Sequence, residues 1–327
     1  MDNNLFLYLI VFLFTLTLTV LMGRLIIPNL SMRAKQPIYE EGPEWHMSKS
    51  GTPTMGGLAF LISVSVALIL CVLLQHILGN TERALSMLIC AVYSILNASV
   101  GIIDDLTKLK HKKNAGLSPK AKLIMQFISA ILFLGARQIL IDEGTSFYFS
   151  FFEVDIPVLY YALSLIILVG ITNCANLTDG VDGLASSVAF AIGISSFYLS
   201  YTRFDNTSFI AAMLSAAAVG FLIFNIHPAK VFMGDTGSLF FGALASSLAF
   251  ELGNPFFAVI SGGVYVIEGI SVILQVLFFK ICGKRIFKMA PIHHHLEKCG
   301  WDENKICLCA MILTLLLSVP AFLLCTR

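Results

Sequence analysis

Charge is what this sequence has least of. Asp, Glu, Lys and Arg make up 13% of 327 residues, and the mean hydropathy is +0.85. Soluble domains are roughly a quarter charged, and even after burying about three quarters of its surface a chain of this length needs charge outside. A soluble globule is therefore excluded, and lipid must solvate much of the exterior. Paired cysteine spacing is missing as well. Cys71, Cys90, Cys174, Cys282, Cys299, Cys307, Cys309 and Cys325 lie mostly inside apolar runs, and Cys307-x-Cys309 has no second ligand pair. That argues against a disulfide framework or a zinc site and for small buried hydrophobes. No internal repeat stands out, so an inverted-repeat transporter gains no support. The apolar runs are continuous rather than alternating, which excludes a transmembrane β-barrel.

What is present is a series of apolar runs close to the ~20 residues that cross a bilayer as a helix. Ten are predicted: 5–27, 56–78, 84–103, 123–141, 158–175, 184–203, 207–224, 238–252, 255–279 and 305–325. The first is too long for a removable signal peptide and lacks a small-residue cleavage site. The eighth is short and rich in Gly, Ala and Ser, as suits a helix packed among others. In the ninth, Glu268-Gly269 predicts a kink or break. The reading is an all-α polytopic membrane protein, a single transmembrane domain over 1–327.

A net charge of +1 decides nothing, but its distribution does. One set of loops and helix ends holds Arg24, Arg33, Lys35, Lys49, Lys108, Lys110, Lys112, Lys113, Lys120, Lys122, Lys230, Lys280, Lys284, Arg285, Lys288, Lys298 and Lys305; the other holds Arg83, Arg137, Arg203 and Arg327. The positive-inside rule makes the first set cytoplasmic, and an even number of spans then puts both termini outside. The stretch 142–157, with Asp142, Glu143, Glu153 and Asp155, is expected to form a small external β-hairpin.

Ionisable residues near the hydrocarbon are expensive and so informative. Asp104, Asp105, Asp179, Asp182 and Asp235 all fall at or beyond the cytoplasmic ends of predicted spans. Solvated helix ends are the plain alternative, but five aspartates on one face favour a site. Adjacent carboxylates such as Asp104-Asp105 repel unless they share a cation or a proton. Oxygen-only ligands suit magnesium, and the lysines that follow suit phosphate. Asn173, Asn176, Asp179 and Asp182 recur every three residues, which would line them along one side of a helix end. A calcium loop would need a closing Glu that is absent. Asp235 stands in Phe232-Met-Gly-Asp-Thr-Gly-Ser. An aspartic protease would need two such copies in β structure, whereas small neighbours let a metal and phosphate approach the backbone. His293-His294-His295 follow the helix-breaking Pro291 without a zinc partner at a usual spacing, and read as donors to a diphosphate.

Taken together, Asp104-Asp105, Asn176-Leu-Thr-Asp179-Gly-Val-Asp182-Gly-Leu-Ala, Phe232-Met-Gly-Asp235-Thr-Gly-Ser and Pro291-Ile-His-His-His295-Leu-Glu resemble the polyprenyl-phosphate N-acetylhexosamine-1-phosphate transferases. The likeness runs from Lys35 to the last loop in the family's motif order. The triple histidine and Gly51-Thr-Pro-Thr-Met-Gly-Gly57 narrow it to the branch that uses UDP-N-acetylmuramoyl-pentapeptide. Glu268, Ser271 and Gln275 also match a family pattern.

The resemblance implies Mg2+-dependent transfer to undecaprenyl phosphate, giving lipid I and UMP at the bacterial cytoplasmic membrane, by a homodimer that binds no nucleic acid. It implies Asp235, with Asp179, as metal ligands, and Asp105, with Asp104, as the group that deprotonates or positions the lipid phosphate. Lys108 and Lys122 would hold phosphates. Asn176, Asp179, Asp182 and Phe232, with Asn173 nearby, would form a uridine pocket open to nucleoside-type inhibitors. Asn225 and His293 to His295 would contact the diphosphate or sugar, and Gln275 would be a further substrate-binding residue. A transporter and a sister transferase using UDP-N-acetylglucosamine are the rival readings.

Overall fold

The structure, a computed structural model, describes residues 3–34, 49, 51–111, 116–141, 144–202 and 208–325. Lys35, Lys112, Lys113, Asp142, Glu143, Arg203 and Arg327 lie outside the described residues. Within hydrocarbon every backbone polar group must find a partner inside the chain, so apolar runs become helices. The order is α1 (Asn3–Arg33), α2 (Gly57–Ile77), α3 (Thr81–His111), α4 (Pro119–Leu140), β1 (Ser146–Phe149), β2 (Phe152–Asp155), α5 (Pro157–Thr178), α6 (Leu184–Thr202), α7 (Ser208–Asn225), α8 (Gly234–Glu251), α9 (Phe256–Ser261), α10 (Gly263–Cys282), α11 (Ile292–Glu297) and α12 (Glu303–Cys325). The strands form an antiparallel hairpin with Ser146 opposite Asp155, inside the stretch expected for it.

Nine of the described helices are long and apolar enough to cross a membrane: α1 to α7, α10 and α12. The eighth predicted run, α8, is not among them. It is the centre of the bundle, packed chiefly on α3 and α5, with every residue from Thr236 to Phe250 buried. Its small residues make that possible. Gly237 meets Gly57 of α2 at a distance that leaves no space for a Cβ on either, and a Cβ at Gly101 of α3 would run into the Asp235 carbonyl.

Two boundaries differ from the sequence reading. The ninth run does break, but at Gly262, between α9 and α10, and not at Glu268-Gly269. Glu268 is buried and accepts hydrogen bonds from His293, while Gly269 lies against the Cys174 thiol of α5, so both serve packing inside an unbroken α10. The third helix also runs past Asp104-Asp105 to His111, stabilised by the i,i+4 pair Asp104–Lys108. The cysteines are all free; Cys71, Cys90, Cys307 and Cys325 are buried as expected, whereas Cys282, Cys299 and Cys309 are exposed.

α3 and α8 run antiparallel. At one end Asp105 meets the start of α8; at the other Glu251 pairs with Arg137 and Ser86. The hairpin belongs to the Glu251 end, because Tyr148 accepts from Asn254 and Ser150 donates its N–H to Leu324. Tyr8 packs on Phe209 at the start of α7, and Asn225 at the other end of that helix joins the aspartate side. Residues near both chain ends thus lie opposite the aspartates.

Candidate active site

The site begins with a contact between two helices. Asp105 Oδ1 accepts the Asp235 N–H at 3.1 Å, and its Oδ2 accepts the Thr236 N–H at 2.9 Å and hydroxyl at 2.7 Å. The first N–H groups of any helix lack intrahelical partners; here a carboxylate from another helix supplies them, and its charge complements the helix dipole. Gly234, at φ 71°, turns the chain into α8 in the left-handed region. A Cβ there would also come within 2.6 Å of Asp105 Oδ2.

That docking brings Asp235 to Asp104. Lys108 lies 2.7 Å from Asp104 Oδ2 and 3.1 Å from Asp235 Oδ2. Lys122, one turn into α4, pairs with the same Asp235 oxygen and lies 3.6 Å from Asp104. Asn176 of α5 donates to Asp235 Oδ1 at 2.9 Å and to Ser238 at 2.8 Å. Asp104 Oδ1 accepts the Leu117 N–H at 2.8 Å. Among the described residues its buried Oδ2 takes no well-directed hydrogen bond, although the two ammonium groups stand beside it. Oxygens from Asp104, Asp105 and Asp235 all lie within 4.8 Å of one another. Three carboxylates against two ammonium groups leave a negative charge unbalanced, and the donors are oxygens alone, so the cluster fits a hard divalent cation.

The predicted three-residue stripe is only half realised, because α5 ends at Thr178. Asn173 faces Gln126 at 2.7 Å, Asn176 faces Asp235, and Asp179 caps α5 outside the triad. Withdrawal from water, and then the charges of Asp235 and Asp105, hold the Asp179 carboxyl well above its ordinary value. Asp182 turns away into a second network. It pairs with Lys49 at 2.7 Å and His227 at 3.0 Å, and both of these also reach Glu303, at 2.8 and 3.2 Å. Burial alone would lower the Lys49 pKa, but Asp182 and Glu303 outweigh it and hold the ammonium above its ordinary value.

Three further expectations change character. Asn225 is buried, accepts from Gly183 N–H and donates to the Val231 carbonyl; it shapes the loop before α8 and has no free edge for a sugar. Gln275 likewise spends its amide on Ile286 and Phe287. His293 is fully enclosed on Glu268, whereas His294 (on Glu297) and His295 (beside the Lys288 N–H) remain partly exposed. Phe232 is half-buried, and its backbone pairs with Pro53 and Gly56, which joins the Gly51–Gly57 stretch to the start of α8. Sequence reasoning missed the grouping of Lys49, His227 and Glu303 with Asp182, and of Thr236 and Ser238 with the triad. No local signal links positions so far apart; Thr236 and Ser238 alone could have been found, as hydroxyls in the first turn after Asp235.

Lysines and aspartates packed at one end of a bundle of apolar helices suit a membrane transferase that handles phosphates, and comparison with known proteins identifies that class. The model of glycosyl transferase family 4 matches residues 87–253, and the signature 1 pattern of phospho-N-acetylmuramoyl-pentapeptide-transferase matches residues 49–61. Curated proteins named phospho-N-acetylmuramoyl-pentapeptide-transferase align nearly end to end. The one from Clostridium acetobutylicum is 40% identical over 96% of both chains. Those from Halalkalibacterium halodurans and Heliobacterium modesticaldum are 41% and 42% identical, over 91% and 88% of each chain. The chain belongs to the phospho-N-acetylmuramoyl-pentapeptide transferase family.

Proposed function

We propose that the chain transfers phospho-N-acetylmuramoyl-pentapeptide from its UDP conjugate to undecaprenyl phosphate, forming lipid I and UMP for peptidoglycan synthesis. The observation that carries this is the packing of Lys108 and Lys122 on Asp104 and Asp235 at one end of a membrane bundle. A lipid-phosphate oxygen attacks the sugar-bearing phosphorus, the bond to the bridging oxygen breaks, and UMP leaves with the electron pair. Anions converge in that step, so it needs fixed positive charge. Mg2+, when bound, supplies part of that charge. Asp235 is the principal residue to hold it, with Asp104 beside it and Asp179 as a further ligand. Lys108 and Lys122 hold phosphates. Asp104 has the freer oxygen and positions the lipid phosphate, while Asp105 holds α8 in place. Asn176, Asp179 and Phe232 line the uridine pocket, where nucleoside-type inhibitors would also sit. Asp182 and Asn225 build its walls, and His294 and His295 face the diphosphate or sugar.

The lysine-rich loops support a cytoplasmic site in the bacterial inner membrane, with both termini outside; a homodimer rests on family likeness alone. The decisive assay offers radiolabelled UDP-N-acetylmuramoyl-pentapeptide and UDP-N-acetylglucosamine side by side, with undecaprenyl phosphate and Mg2+. Lipid product from the first alone is expected. Product from the second alone would overturn the substrate assignment, and none from either would overturn the enzyme reading.

A further inference from the structure

His293, the second residue of α11, has 0% of its surface exposed. Its Nδ1 lies 3.0 Å from Glu268 Oε2, and the same oxygen accepts the His293 backbone N–H at 3.3 Å. Among the described residues its Nε2 has no hydrogen-bond partner. That nitrogen faces Gly180, in the turn after α5: a Cβ at Gly180 would land on Nε2. Gly180 has no positive φ, so close approach, and not backbone conformation, is what calls for glycine there.

An enclosed N–H without an acceptor costs more than a bare ring nitrogen without a donor, because the donor loses a strong hydrogen bond to water. With Nδ1 on a carboxylate, the proton belongs on Nδ1 and the lone pair on Nε2. Free neutral histidine prefers the opposite tautomer. Gly180 directly follows Asp179 and lies four residues beyond Asn176, so the ring is wedged under the edge of the aspartate site.

We propose that Glu268 is a positioning residue that fixes His293 as the Nδ1-protonated imidazole, so that the ring supports the Asp179–Gly180 turn from below. His293 then acts through the turn and not by touching substrate. The activity consequence rests on the proposed transfer reaction; the tautomer does not.

The test uses the full chain in detergent, labelled with 15N-histidine, with His293→Asn to assign the signal. Wild type should show His293 protonated at Nδ1, and Glu268→Ala should return it to the Nε2-protonated form. Removing a residue one shell behind a metal site typically costs roughly 10–100-fold in activity, so Glu268→Ala, acting through the turn that carries Asp179, should lower transfer kcat/KM by that factor. Glu268→Gln still accepts from both His293 N–H groups and should recover most of the loss. If Glu268→Ala does not fold, Gly180→Ala replaces it, and should disturb both the signal and the rate. An Nε2-protonated His293 in wild type, a rate within twofold of wild type in Glu268→Ala or Gly180→Ala, or a Glu268→Gln no better than Glu268→Ala would each overturn the proposal. Absence of transfer by wild type would instead remove the proposed function and leave the tautomer result to stand or fall on its own.

Discussion

Asp105→Asn separates an architectural aspartate from a chemical one. The Asp105 carboxylate accepts three hydrogen bonds, all from the first turn of α8. An asparagine can turn its one oxygen toward Thr236, which leaves the Asp235 N–H facing an NH2 group. Losing one charge-assisted hydrogen bond in a buried place costs about 1.5–3 kcal/mol. Losing the negative charge at a helix N-terminus costs about 0.3–2 kcal/mol more. Relief of repulsion with Asp104 and Asp235 offsets part of this, so a net loss of about 2–4 kcal/mol is expected. For a chain of this size, roughly 2 °C of unfolding midpoint per kcal/mol makes that about 4–8 °C in detergent with EDTA present. Asp104→Asn should cost less, since its Oδ1 can keep the Leu117 N–H. An Asp105→Asn protein that unfolds within about 1 °C of wild type yet transfers nothing would refute the capping role and make Asp105 a reacting group.

Asp235→Ala should abolish transfer while the protein stays folded; activity above about a hundredth of wild type at saturating Mg2+, or ~2.7 kcal/mol of transition-state stabilisation, would sink its assignment as the principal ligand. Phe232→Ala should weaken UMP by about 1–2 kcal/mol, the size of a lost aromatic stack, with Phe232→Trp milder; equal UMP affinity would make the ring mere packing. The Asp179 carboxyl is held well above its ordinary value of 3.8. The folded state therefore binds the proton more tightly than the unfolded chain, and stability falls as pH rises from about that value through the raised one. Asp179→Asn should remove that slope, raising the unfolding midpoint in EDTA more at pH 8 than at pH 5; an equal gain at both would show that Asp179 is solvated.

Much of the bundle was legible because lipid simplifies the code: continuous apolar runs separated by charged loops give helices and an end for each loop. The small residues of the eighth run correctly marked a helix enclosed by others. What misled was local chemistry that tertiary packing overrode. Glu268-Gly269 has the composition of a break, but His293 satisfies the carboxylate and Cys174 fills the space beside the glycine. The spacing of Asn173, Asn176, Asp179 and Asp182 fits one helix face, but the helix stops before the last two. Asp182 is then claimed by Lys49, His227 and Glu303, three partners from three distant segments. Periodicity states which residues share a face only as long as the element lasts; it carries no information on which loop will cross that face.

The dependence of the site on its glycines follows from the same geometry. Asp104 and Asp235 can share Lys108 and Lys122 only because the start of α8 lies directly on α3. That approach needs Gly101 beneath the Asp235 carbonyl and the Gly57–Gly237 contact with α2, places where even one methyl group has no room. In lipid there is little hydrophobic force between helices, and close packing of small residues replaces it. The residues that draw α8 inward therefore also set the separation of the carboxylates. A methyl at Gly101 would push Asp235 off Lys108 and Lys122 without touching a charged atom, so the spacing of the charges is decided in the apolar core.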